Sequence, residues 1–228
     1  MEKNNAPKHV GIIMDGNRRW AANKNLPSSA GHEAGAENLQ RIVEVASKIG
    51  IKYLTVYALS TENLKSRKSI EISFLFNTML KMTKSKFSSL NENGVRLKFI
   101  GDLSKLPKNV IKSFKDVEDK LSKNNKLILT AAINYGGRYE IISSVRKVVS
   151  DRQEISEDAI NSNLYTAGIP EPDLIIRTGG RKRLSNFLLW QGTYSELYFT
   201  DTLWPDFNEK ELKKALDDFH ERVRNFGA

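Results

Sequence analysis

The sequence predicts an α/β fold in one domain, residues 1–228, with a mostly parallel central sheet of about six strands flanked by helices. Three observations carry this. Short aliphatic or β-branched runs alternate with longer stretches of helical periodicity, as in a sheet whose crossovers cover both faces. No repeat period and no low-complexity linker divides the 228 residues. Hydrophobic residues make up 39% of the chain, with only 14 Gly and 6 Pro, enough apolar material for one core and too regular for a disordered or collagen-like chain.

The strand candidates are runs bounded by turn residues: 9–14 (HVGIIM), 52–59 (KYLTVYAL), 95–100 (VRLKFI), 127–133 (LILTAAI), 173–177 (DLIIR) and a weaker one at 195–200 (SELYFT). Between them, apolar spacing predicts helices at 33–49, 70–93, 105–122, 137–150, 156–167 and 208–225. The 70–93 helix carries Ile70, Ile72, Phe74, Leu75, Phe76, Met79, Leu80, Met82 and Phe87, apolar on more than one face. That pattern suits a core helix packed on the sheet, and less commonly one wall of a channel holding a hydrocarbon chain.

Composition excludes several classes. With no cysteine there is no disulfide scaffold, thiolate metal site or cysteine nucleophile, and a reducing cytoplasm is the expected compartment. Three histidines, His9, His32 and His220, leave little scope for a histidine-built metal centre. Runs such as VGIIM and LTVYAL are too short to span a bilayer, and MEKNNAPKH lacks the apolar region of a signal peptide. Signature loops of nucleoside triphosphatases, dinucleotide enzymes and serine hydrolases are absent. The net charge of +9 suits an anionic partner but supports no specific nucleic-acid function by itself.

The ends of the predicted strands are more informative. The first runs into Asp15-Gly16-Asn17-Arg18-Arg19 and the second into Ser60-Thr61-Glu62-Asn63. Gly101-Asp102 follows the third, Asn134-Tyr135-Gly136-Gly137-Arg138 the fourth, and Arg177-Thr178-Gly179-Gly180 the fifth. In a parallel sheet these carboxyl ends share one edge, where open α/β folds bind ligands. The active site is expected there.

Asp15 at a strand end can ligate Mg²⁺, amides at a following helix start can cradle an anion, and Arg18 and Arg19 supply charged donors for phosphate oxygens. The plain alternative is an Asp-Gly turn capping a helix, its arginines in solvent. In RTGGRKRLS at 177–185, Arg177, Arg183, Ser185 and exposed amides suit a diphosphate, against the alternative of a basic loop on a basic protein. Glu196, among aromatics in TYSELYF, needs a partner if buried, either a cation or an arginine. Glu62 is a second acidic candidate, and His32 in AGHEAG could donate to a phosphate or cap its helix.

HVGIIMDGNRRWA at 9–21, AGHEAG at 30–35, YALSTEN at 57–63, NYGGR at 134–138, DLIIRTGG at 173–180 and RLSNFLLWQGTYSELYFTDTLWPDF at 183–207 resemble the cis-prenyltransferases, in order and over nearly the whole chain. The resemblance implies a homodimer that condenses isopentenyl diphosphate onto an allylic diphosphate, usually farnesyl diphosphate, with cis double bonds. It implies a long-chain product, the undecaprenyl carrier-lipid precursor of cell-wall synthesis, released from a cytoplasmic enzyme toward the membrane and with peripheral membrane attachment. It implies Mg²⁺, with Asp15 as catalytic residue and metal ligand and Glu196 as second ligand. Asn63 matches the residue assigned as proton acceptor, although an amide is a poor base and suits orientation of the substrate better. Gly16, Asn17, Arg18, Arg19, Trp20, His32, Ser60, Thr61 and Glu62 match the allylic site, and Arg177, Arg183, Leu184 and Ser185 the isopentenyl diphosphate site.

The sequence departs from the family pattern at Ser28, Leu64 and Arg181, in the displacement of a substrate-site arginine to Arg67, and at Asn225, where a C-terminal arginine is replaced and Arg224 stands one position early. The competing expectation is a catalytically silent isoprenoid-binding or partner subunit, against which the retention of Asp15 and the arginine loop argues.

Overall fold

The computed structural model describes residues 7–66, 69–85 and 87–222. Its first strand, β1 (His9–Ile13), is buried along its whole length, with Val10 and Ile12 in the larger core and Ile13 in a second cluster on the opposite face. The chain then forms α1 (Asn17–Asn23), α2 (Ser28–Ile49), β2 (Tyr53–Ser60), α3 (Thr61–Ser66), α4 (Ser69–Ser85), α5 (Phe87–Glu92) and β3 (Val95–Ile100). There follow α6 (Lys108–Leu121), β4 (Leu127–Tyr135), α7 (Gly137–Ser150), α8 (Glu157–Asn163), β5 (Leu174–Arg177), β6 (Glu196–Phe199) and α9 (Glu209–Glu221), with 3₁₀ turns at Leu103–Lys105 and Trp204–Asp206.

Among the described residues the six strands form one sheet in the order β3-β4-β2-β1-β5-β6, and every neighbouring pair is parallel. From β1 the chain returns through α1 and α2 to β2 on one side, whereas from β5 it passes to β6 on the other. Adjacent strands whose continuations leave in opposite directions open a crevice at their carboxyl ends. Ile13 is level with Arg177 of β5 and Tyr57 of β2, so the segments after all three strands meet there.

One face of the sheet is covered by α2, α4, α6 and α9 through Ile42, Phe76, Phe114 and Phe219 among others. Each large side chain fully buried there contributes about 1.5–3 kcal/mol of hydrophobic stabilisation. The other face is closed partly by the segment after β5, whose Phe187 and Leu188 are fully buried beneath Ile13 and Ile175. Phe187 stacks on Tyr57 with ring centroids 4.7 Å apart. α2 is locked to the 3₁₀ turn by Asn38, whose amide donates to the carbonyls of Trp204 and Phe207 at 2.7 and 2.8 Å.

Several elements differ from the sequence expectation for physical reasons. α1 is too short to show a helical period. α2 begins at Ser28 rather than 33, its first turns disguised by glycine and small residues. The predicted 70–93 helix is helical over its described residues 70–85 and 87–92. α6 starts after Pro107, and α8 ends at Asn163. The caps follow side-chain chemistry: Ser156 accepts from the Ala159 amide, and Asn208 from the amides of Lys210 and Glu211.

Candidate active site

Asp15 follows β1 at the crevice. Its backbone is clamped by buried Thr178, whose hydroxyl accepts from the Asp15 N–H at 3.0 Å and donates to the Asp15 carbonyl at 2.7 Å. Its carboxylate lies between two guanidinium groups, Arg19 Nη2 to Oδ1 at 3.1 Å and Arg177 Nη2 to Oδ2 at 3.0 Å. Gly16 sits at φ +120°, where a Cβ would fall 2.9 Å from Leu203 Cδ2, so this turn needs glycine. Asn17 opens α1 and lies against α2: a Cβ on Gly31 would meet the Asn17 carbonyl oxygen at 2.1 Å and one on Gly35 the Asn17 Oδ1 at 2.3 Å. The glycines of AGHEAG thus allow α2 to approach the Asp15 turn.

Arg177 ends β5 and is only 5% exposed. Besides Asp15, its guanidinium donates to the carbonyl of Arg183 and, at 2.6 Å, to the Ser185 hydroxyl. It therefore organises the loop that carries Arg183, whose own side chain is exposed. Leu184 packs against the second hydrophobic cluster rather than facing the crevice.

At the end of β2 the Ser60 hydroxyl accepts from the Asn63 N–H at 3.0 Å, turning the chain into α3. Burial pushes the Glu62 carboxyl up, but hydrogen bonds from its own N–H, Asn186 and Ser60, with Lys65 nearby, outweigh it and hold the group below its usual value. His32 of α2 lies 3.7 Å from Glu71 of α4.

Many of these groups line one cavity of about 720 Å³. Its polar lining includes Asp15, Arg19, His32, Glu62, Asn63 and Arg177; Gly16, Asn17, Arg18, Ser60 and Ser185 also border it. Ile13, Met14, Tyr57, Ala58 and Leu75 add apolar side chains to the lining. Leu75 answers the two readings of the 70–93 stretch together, since it belongs to the core and also faces the cavity.

Not every sequence candidate reaches this cavity. The Trp20 indole N–H is spent on Asp206 at 2.8 Å, and Thr61, Arg183 and Leu184 lie outside the lining. Arg67, Arg224 and Asn225 fall outside the described residues. The two metal-ligand candidates are not brought together within the chain. Glu196 begins β6 level with Leu174, the first residue of β5, which sets it about 10 Å back along the strands from the Arg177 level and two strands from β1. Its partner is an arginine: Arg222 Nη1 lies 2.7 Å from Glu196 Oε2, and Arg222 also pairs with Asp218. Among the described residues no three His, Asp or Glu cluster as a complete protein-built metal cage.

Two site residues escaped the sequence reading. Thr178 gives no signal, because its role is to hold backbone across two strands. Asn186 was legible only as a polar residue wedged between a basic loop and the apolar FLLW run.

The prenyltransferase family model described as undecaprenyl diphosphate synthase matches residues 13–227. An isoprenyl transferase from Fusobacterium nucleatum is 46% identical over 228 residues, covering 100% of this chain and 98% of the relative. One from Clostridium perfringens is 45% identical, with 97% and 90% covered. Among solved structures, lavandulyl diphosphate synthase from Lavandula x intermedia, in complex with dimethylallyl diphosphate, superposes with a TM-score of 0.92 at 35% identity, covering 98% of this chain and 99% of that one. A probable undecaprenyl diphosphate synthase from Campylobacter jejuni gives 0.84 at 36% identity, with 98% and 100% covered. With the fully parallel sheet, the crevice between β1 and β5 and the matched length all in agreement, this chain is a prenyl-transferring enzyme and belongs to the undecaprenyl diphosphate synthase family.

Proposed function

We propose that the enzyme condenses isopentenyl diphosphate onto an allylic diphosphate, with farnesyl diphosphate as starter, and repeats the step with cis stereochemistry to give a long-chain product of the undecaprenyl class. The observation that carries this reading is the Asp15 carboxylate, held between Arg19 and Arg177 in a cavity lined by apolar as well as charged side chains. Diphosphate needs the charged groups and a growing hydrocarbon needs the apolar ones. The dimethylallyl diphosphate held by the lavender relative is itself an allylic diphosphate, which favours this substrate class.

Asp15 suits Mg²⁺, an ion commonly held by one or two carboxylates together with substrate phosphates rather than by a full protein cage. Its carboxylate is partly exposed in the cavity and sits beside donors for the same diphosphate. Bound Mg²⁺ supplies positive charge to a leaving diphosphate. In the reaction the allylic C1–O bond breaks, the isopentenyl double bond supplies the electron pair for the new C–C bond, and a proton leaves the neighbouring carbon. Arg19 stabilises the negative charge growing on the departing group. Arg177 holds Asp15 and the Ser185 loop in place, while Arg183 and the Ser185 hydroxyl bind the second diphosphate. Asn63, fixed by its N–H to Ser60, orients the alkene for loss of its proton to a diphosphate oxygen.

A homodimer accords with the exposed apolar stripe of α7, where Tyr139, Ile142 and Val149 are 38, 50 and 57% exposed and share one helical face. Among the described residues no helix is long and apolar enough to cross a membrane, and we place the enzyme in the cytoplasm with peripheral contact at product release. The deciding experiment is mass analysis of products after incubation with farnesyl diphosphate, isopentenyl diphosphate and Mg²⁺. A ladder ending near eleven isoprene units is expected, and absence of any product longer than the starter would refute the reading.

A further inference from the structure

We propose that Asn186, which follows Ser185, is the positioning residue that fixes the Arg183–Ser185 diphosphate loop against the ends of β2 and β4; the inference rests on the isopentenyl diphosphate role proposed for that loop. The loop cannot hold its shape through ordinary backbone preference. Ser185, Asn186 and Leu188 all lie in the left-handed region, at φ of +50°, +67° and +44°. Such conformations persist where surrounding contacts enforce them, and they gather at functional sites.

Asn186 supplies three of those contacts. Its side-chain Nδ2 donates to Glu62 Oε1 at 2.8 Å, its Oδ1 accepts from the Arg138 N–H at 2.9 Å, and its carbonyl accepts from the Gly137 N–H at 2.8 Å. A backbone N–H only donates and a carboxylate only accepts, so the partners dictate which end of the amide points where. The approach is close: a Cβ on Gly136 would fall 2.8 Å from Asn186 Nδ2, so a side chain there would push on the amide. The next residue, Phe187, is anchored on Tyr57 of β2. Asn186 therefore joins three strand ends, and through Glu62 it ties the loop for one diphosphate to the lining of the other.

This assignment makes the amide's two ends separately testable. Asn186→Gly keeps the left-handed backbone without strain and removes the side chain. Asn186→Asp keeps the acceptor for Arg138 but sets a carboxylate against Glu62. Glu62→Gln in the Asn186→Asp background restores a donor–acceptor pair in reversed order. With the full-length enzyme, both single variants at 186 are expected to raise the KM for isopentenyl diphosphate by about tenfold, as loss of the one charged hydrogen bond to Glu62 would. The KM for farnesyl diphosphate should move less, since Glu62 itself stays in the allylic lining and only its bond to Asn186 is lost. The penalty of Asn186→Asp should shrink several-fold when measured against Glu62→Gln instead of wild type. A merely structural role would lower the melting temperature and raise both constants together, and would show no rescue; either result overturns the proposal. If the wild-type chain makes no elongated product, the proposed function fails, and the same variants are compared by calorimetry with inorganic diphosphate. Weakened binding in both single variants with recovery in the reversed pair then sustains the loop role, whereas equal binding in all of them, or none by wild type, refutes it.

Discussion

Arg177 donates to Asp15 across 3.0 Å, and by that contact the end of β5 holds the end of β1. The guanidinium is almost wholly inside the protein, while the carboxylate side chain is 30% exposed toward the cavity. The pair thus has a buried, positioning half and an open, reacting half. Asp15→Asn keeps an acceptor for Arg177 and removes the charge, so the fold should survive with a melting temperature near that of wild type. Turnover should fall by about a hundredfold or more, the usual scale for a preorganised electrostatic contact. Steady-state product formation with Mg²⁺ checks this, and near-normal activity would remove Asp15 from the chemistry.

Arg177 and Arg183, both in the 177–185 segment, should behave differently. Arg177→Ala leaves Asp15, the Arg183 carbonyl and the Ser185 hydroxyl without their common donor and should cost about 2–3 kcal/mol of stability as well as activity. Arg183→Ala, at an exposed side chain, should change stability by less than about 0.5 kcal/mol and act chiefly on the KM for isopentenyl diphosphate. Urea denaturation with parallel kinetics separates them; equal stability losses would mean that Arg183 is a structural residue too.

Packing at the α1–α2 crossing gives a third expectation. Gly31→Ala places a methyl against the Asn17 carbonyl oxygen, backbone that cannot swing aside, and should destabilise by about 3 kcal/mol. Gly50, at φ +94° with nothing within 4 Å of its Cβ position, supplies the comparison. Gly50→Ala should cost only the left-handed backbone term, about 1 kcal/mol. The ranking fails if thermal melts place the two together.

His9 predicts a pH dependence. Burial lowers its pKa, although its contact with the Pro170 carbonyl and the nearby Asp173 act the other way. Nδ1 lies 2.6 Å from that carbonyl oxygen, which can only accept, so Nδ1 carries the proton and Nε2 accepts from the Thr55 hydroxyl. Below the unfolded value of 6.5 the unfolded chain binds the proton first, and stability falls as the pH is lowered from there toward the folded pKa. The slope is at most about 1.4 kcal/mol per pH unit. Glu140, buried and raised, contributes with the opposite sign, its stabilisation being lost as pH rises through its folded pKa. Denaturation midpoints between pH 7 and 5 should therefore fall less steeply in His9→Asn, which keeps the donor to Pro170; an unchanged slope would assign the acid loss to other groups.

The alternation of strands and helices, the single domain, and the convergence of Asp15, Ser60–Asn63 and Arg177 on one edge were all legible along the chain. These follow from local patterns, since apolar runs of period two and near four, with the polar residues that end them, are set by neighbouring residues. The strand order that opens the crevice between β1 and β5 was not legible, because it depends on which strands pair across more than 160 residues. Folding in three dimensions also turned Arg177 inward, gave Glu196 to Arg222 and set Asn186 between Glu62 and the Arg138 N–H. Each of these is a hydrogen bond between separate segments, chosen by where the backbone brings a donor within about 3 Å of an acceptor, and no periodicity in the chain encodes such a meeting.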